Sequence, residues 1–294
     1  MNNVGDFIQW LFFSGGNRDL SGFVSGLVEY PLFGLYFILA AAVSVLLAWG
    51  TLRVAFPRGS LLRPPQWNMW FGLLMLILAA LLQFVVAWVA AAIMGRNLME
   101  IVKGPLVISL SVIIPAPVIC IVAYRLLDAV SRGRAIDIGI SRHGALRNFG
   151  RGLLFIIMLY PLLSVVSGLN NAVLNTIHAD TSEQSLVGMY RSATNVERAL
   201  MFLMAVVATP VWEEFIFRGA IFNGMRRSVG RDEAILLSAV FFAALHGNLA
   251  AMAPIVFLGI FLAYAYERTG SLWTPIGMHA LSNAMNLVPI MFGA

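Results

Sequence analysis

Residues 199–221, Ala199-Leu-Met-Phe-Leu-Met-Ala-Val-Val-Ala-Thr-Pro210-Val-Trp-Glu-Glu-Phe-Ile-Phe-Arg-Gly-Ala-Ile221, are almost entirely apolar yet carry two adjacent glutamates and an arginine. Apolar runs of about 18 residues or more mark candidate membrane helices. This run is the fifth of eight. The others lie at about 31–54, 68–94, 105–127, 152–173, 233–246, 250–267 and 271–292, with 233–246 the shortest. Composition agrees: 60% of the 294 residues are apolar, 11% are charged and the mean hydropathy is +0.85, well outside the range of a soluble domain. The expected fold is all-α, a polytopic membrane helix bundle with about eight transmembrane helices.

No repeat of 20–50 residues and no Gly/Ser- or Pro-rich linker divides the chain, so it reads as one membrane domain. Within it, 1–30 is expected to be a short N-terminal interfacial segment. Residues 31–198 carry the N-terminal transmembrane helices with a basic cytoplasmic loop, and 199–294 the helices with intramembrane polar residues. The start, Met1 to Phe13, lacks a basic region and a long apolar core, so it reads as an amphipathic helix rather than a cleaved signal peptide.

The formal net charge of +5 does not point to nucleic acid, because in a membrane protein the position of the positive charges matters more than their sum. With eight helices, the loops after the first, third, fifth and seventh share fourteen of the nineteen basic residues. That bias places these loops in the cytoplasm and both termini on the non-cytoplasmic side of the cell (inner) membrane. The basic stretch 125–151 is expected to lie along an anionic leaflet, making membrane lipids a partner, and the outer stretch 170–198 to be polar, with a turn or helix start at 180–184. Its His178, like His143 on the other side, reads as a solvated loop residue. The single cysteine, Cys120, excludes an internal disulfide and a thiolate metal cluster.

Ionisable groups inside the runs gather in the last third of the chain: Glu213 and Glu214 in the fifth, His246 ending the sixth, and His279 with Asn283 in the eighth. Each costs about 2.5–3.5 kcal/mol at a bilayer centre, so such groups face a cavity and pair with one another. Helical periodicity puts Glu214 and Arg218 on one face, where they can pair, and turns Glu213 away from both. Pro210 cannot donate to the carbonyl of Val206, which predicts a kink where the glutamates begin. His279 and Asn283 share a face one turn after Pro275. Phe242 lies one turn before His246 and can stack on it.

Three chemistries are open to this set. A serine or cysteine nucleophile finds no Gly-x-Ser-x-Gly, and Cys120 is remote in sequence. Zinc could take Glu213, His246 and His279 as ligands, but the His-Glu-x-x-His signature is absent. Metal-free activation of water needs a carboxylate or imidazole base and donors to a developing oxyanion, which Glu213, a neutral His279 and the Asn283 amide can supply. A non-catalytic membrane chaperone, immunity factor or transporter with a polar binding cluster is the reading from outside enzymology.

The ordered motifs Glu213-Glu-x-x-x-Arg218, Phe242-x-x-x-His246 and His279-x-x-x-Asn283 resemble the CPBP family of intramembrane proteases, the type II CAAX prenyl endopeptidase and bacteriocin-processing group. The likeness covers about residues 205–290. It implies a glutamate-dependent endopeptidase open to the cytoplasm, without metal or cofactor, acting on a membrane-associated protein or peptide. It also implies that Glu213 is the catalytic glutamate and His246 its partner in activating water, with His279 and Asn283 stabilising the oxyanion and Glu214 and Arg218 in support.

Overall fold

The computed structural model describes residues 65–94, 104–132, 138–141, 143–179 and 185–291, with positions 42, 43, 46 and 62 before them. The expected interfacial segment 1–30, nearly all of the run at 31–54 and the turn at 180–184 lie outside the described residues. The described elements are all helical. They are α1 Met69–Met94, α2 Pro105–Val130, α3 Ala145–Thr176, α4 Ser185–Ser192, α5 Asn195–Val229, α6 Arg231–Ala244, α7 Leu249–Thr269 and α8 Trp273–Met291. Five of them, α1, α2, α3, α5 and α7, are long and apolar enough to cross a membrane. The chain is a helical membrane bundle.

Its helices show how a bundle forms where lipid is as apolar as the side chains. On α1, Trp70, Leu74, Ile77, Leu81, Phe84 and Trp88 are exposed, while Gly72, Met75 and Ala79 are buried. Large side chains meet lipid, and small ones let helix backbones approach. A Cβ on Gly72 would lie 2.8 Å from the Cα of Ile221 on α5, and one on Gly277 of α8 would lie 2.6 Å from the Phe149 carbonyl oxygen on α3. The centre is filled from α5 outward, with Ile216, Ala220, Ile221 and Phe222 at or near zero exposure.

Three features depart from the sequence reading. The outer stretch is more structured than a polar loop: α3 continues to Thr176, and α4 carries Tyr190 into a cluster with Met201, Leu287 and Ile290. Arg198 holds α4 in place by donating to the Tyr190 carbonyl at 3.1 Å and the Arg191 carbonyl at 2.9 Å. Second, residues 138–141 of the basic stretch dock on the α7–α8 corner, a contact the sequence did not show. Tyr266 donates to the Ile138 carbonyl (2.9 Å), Leu272 N–H to the Gly139 carbonyl (3.1 Å) and Trp273 Nε1 to the Ser141 carbonyl (3.2 Å). Asn223 links Tyr266 back to α5 at 2.9 Å, and buried Glu267 pairs with Arg226 Nε at 3.0 Å. Third, Arg218 is an interior residue, so the loop charges on the basic side number 14 − 1, thirteen, still a clear majority.

Candidate active site

The sequence reading places a kink at Pro210. Instead, α5 changes its winding. Met204–Ala208 and Phe215–Phe222 are π-helical, with Thr209–Glu214 as an α-helical turn between them. Thr209 N–H donates five residues back, to Met204 O, so the carbonyl that faces the missing N–H of Pro210 is that of Ala205. Asn283 on α8 meets it, its Nδ2 donating to Ala205 O at 2.8 Å. The two glutamates thus stand on a short turn bracketed by wider ones, an arrangement with no periodic signature in the sequence.

Glu214 is fully buried and its Oε1 accepts twice, from Arg218 Nη1 at 3.0 Å and from His279 Nδ1 at 2.8 Å. Arg218, also buried, donates from Nη2 to the Gly259 carbonyl at 3.3 Å, and its Cζ lies 4.5 Å from the centre of the Phe242 ring. A buried carboxylate and guanidinium are tolerable only when paired with good geometry and further hydrogen bonds; here Arg218 has both, and Glu214 has both on Oε1 while its Oε2 has no partner. The expected Glu214–Arg218 pair therefore exists within a larger cluster that also takes in His279.

Glu213 faces elsewhere. Its side chain is 13% exposed, its Oε2 has no hydrogen-bond partner, and His279 Nε2 lies 3.9 Å from that oxygen. His246 is exposed at the end of α6, and both histidines are close enough to act electrostatically on Glu213. The Phe242 carbonyl, 2.8 Å from His246 Nδ1, can only accept, so that nitrogen carries the hydrogen, and in the neutral ring Nε2 keeps its lone pair. The same logic applies to His279: Nδ1–H serves Glu214, so donation from Nε2 requires the doubly protonated ring. A neutral His279, as the sequence reading had it, cannot donate to both sides.

Phe242 packs all of this together. Its ring meets His246 edge-on at 4.8 Å, His279 at 5.7 Å and Phe217 at 4.9 Å, besides the Arg218 cation. The fold therefore brings Glu213, Glu214 and Arg218 from α5, Phe242 from α6, His246 from the turn after it, and His279 and Asn283 from α8 into one site. Nothing in the sequence signals the carbonyls of Ala205 and Gly259, because backbone acceptors carry no residue identity. Among the described residues, no three His, Cys, Asp or Glu side chains converge as metal ligands.

Residues 195–285 match the profile of the family described as type II CAAX prenyl endopeptidase Rce1-like. The chain is also similar to a protein of Bacillus subtilis (strain 168) named "Putative membrane peptidase YdiL", with 27% identity over 141 residues. That stretch covers 44% of this chain and 58% of the relative, little more than half its length. No solved structure matches. The matched segment begins at the first residue of α5, ends in α8 and contains each of the three motifs, so the resemblance read from them holds: this is a multi-pass membrane protein whose residues 195–285 are similar to the Rce1-like family of proteases.

Proposed function

We propose that the chain is an intramembrane endopeptidase that hydrolyses a peptide bond of a membrane-associated protein or peptide near the cytoplasmic face. The observation that carries the proposal is the contrast between the glutamates: each has an Oε2 without a hydrogen-bond partner, but Glu214 is fully buried with its Oε1 held by Arg218 and His279, whereas Glu213 is 13% exposed and stands beside two histidines. A buried acceptor without a partner costs about 1–3 kcal/mol, a cost that a substrate water held there offsets.

In this mechanism Glu213 and His246, through the Nε2 lone pair, orient a water and take its proton as the oxygen adds to the scissile carbonyl carbon. The carbonyl oxygen gains negative charge and accepts from His279 Nε2–H. Asn283, with one amide hydrogen on Ala205, offers its second to the same oxygen. The captured proton passes to the leaving nitrogen as the C–N bond breaks, giving a carboxylic acid and an amine; the acid proton then moves to the amine, leaving a carboxylate and an ammonium. Buried Glu214 stabilises the imidazolium of His279, and Arg218 holds Glu214 in place.

The experiment is a comparison of membrane-protein termini by mass spectrometry between cells carrying the wild-type protein and cells carrying Glu213→Gln. Termini that vanish in the variant, while the purified variant extracts and melts normally, support the proposal; identical sets of termini refute it. Metal analysis and chelator sensitivity of the purified protein separate a zinc-dependent reaction from the one described.

A further inference from the structure

Pro254 interrupts α7 near its start and cannot donate to the carbonyl of Ala250, four residues back. That carbonyl is met from another helix. The side-chain amide of Asn170, on α3, donates to Ala250 O at 3.0 Å and to Leu249 O at 3.1 Å, and it lies 3.5 Å from Asn171 Oδ1. Two amide hydrogens thus face two successive carbonyls. Inside a bilayer, a carbonyl freed by proline has no bulk water to turn to, and neighbouring helices must supply the donor.

The tether bears on the site because α7 begins three residues after His246. Between them, Gly247 takes a left-handed φ of +60, and Asn248 caps α7 by accepting from Ala251 N–H at 2.9 Å. On the other side, the turn is tied to α6 by the His246–Phe242 hydrogen bond. The His246 ring is exposed apart from its contacts with Phe242, so its place opposite Glu213 depends also on where the turn 245–248 is held.

We infer that Asn170 is a positioning residue for His246: by holding the Pro254-freed carbonyl it fixes the first turn of α7, and through it the imidazole. Asn170 lies outside residues 195–285, which match the protease family. The inference rests on the assignment of His246 to water activation.

The proline makes the test specific. Full-length protein in detergent, as wild type, Asn170→Ala, Pro254→Ala and the double variant, is compared by amide hydrogen exchange over 245–254 and by the rate at which diethyl pyrocarbonate modifies His246. Asn170→Ala should raise exchange over 249–252 on the order of tenfold, the effect of one lost hydrogen bond in a helix end, change the modification rate at His246 and reduce the Glu213-dependent terminus in cells. Pro254→Ala alone should leave all three near wild type. In the double variant, residue 254 regains an N–H that reaches Ala250 O, and all three should return toward wild type. Were Asn170→Ala not to fold, recovery of folding in the double variant would be the supporting result. Unchanged exchange and modification in Asn170→Ala, or a double variant no better than Asn170→Ala, would overturn the inference. Retained cleavage by Glu213→Gln would instead strike at the protease reading, since exchange over 245–254 reports the tether without it.

Discussion

Adjacent glutamates can differ completely in what they cost and what they do. Glu214 Oε1 accepts from Arg218 and His279, so Glu214→Ala strands the buried Arg218 guanidinium and leaves His279 Nδ1 without its acceptor. We expect a loss of about 3–5 kcal/mol, the usual range for breaking a buried ion pair, visible as a lowered melting temperature in detergent. Glu213→Gln removes no hydrogen bond among the described partners and should melt close to wild type while abolishing cleavage. Much of this distinction was legible in the sequence, because spacing alone pairs residues four apart and excludes their neighbour. The role of His279 was not. In sequence it pairs with Asn283, but in space its Nδ1 goes to Glu214, and only the packing of α8 against α5 decides that.

Helices read well from this sequence because lipid leaves the backbone few alternatives: seven of the eight predicted runs coincide with α1, α2, α3, α5, α6, α7 and α8. What hydropathy cannot show is a change of winding. The π turns around Glu213 depend on a donor from another helix, Asn283, accepting the duty that Pro210 cannot perform. Asn283→Ala should therefore cost about 1–3 kcal/mol, the price of a buried carbonyl left bare. Adding Pro210→Ala should recover stability, because residue 210 regains an N–H, but not cleavage, because the second amide hydrogen is still missing. Thermal melting and terminus formation on the same pair of variants check the two halves separately.

At the scale of the molecule, two buried polar networks among the described residues have separate duties. One is the site; the other joins α5 and α7 to residues 138–141 through Asn223, Tyr266 and the Ile138 carbonyl. Tyr266→Phe should lower stability by about 1–3 kcal/mol, since the hydroxyl serves as acceptor and donor at once, and leave the site's own hydrogen bonds intact. A melting curve beside a cleavage assay reads both. The sequence predicted none of this second network, because its acceptors are again carbonyls and its contact spans residues 128 apart. The arginine distribution makes one further prediction: alkaline phosphatase fused after Ala294 should be active and a cytoplasmic reporter there inactive, in keeping with a non-cytoplasmic C-terminus.

The brevity of α6 has a physical consequence of its own. Its 14 residues rise about 21 Å, against about 30 Å for the hydrocarbon of a typical bilayer. A helix of that length starting at the arginine-rich side ends short of the far side of the bilayer, whereas α5 and α7 are long enough to traverse it. Hydrophobic mismatch then acts on this one element: a thicker bilayer pulls on the arginine-flanked start of α6 without lengthening it, and a thinner one relieves that pull. In proteoliposomes of phosphatidylcholines with graded acyl-chain length, cleavage should pass through an optimum, while the melting temperature, governed by the longer helices, follows a different course.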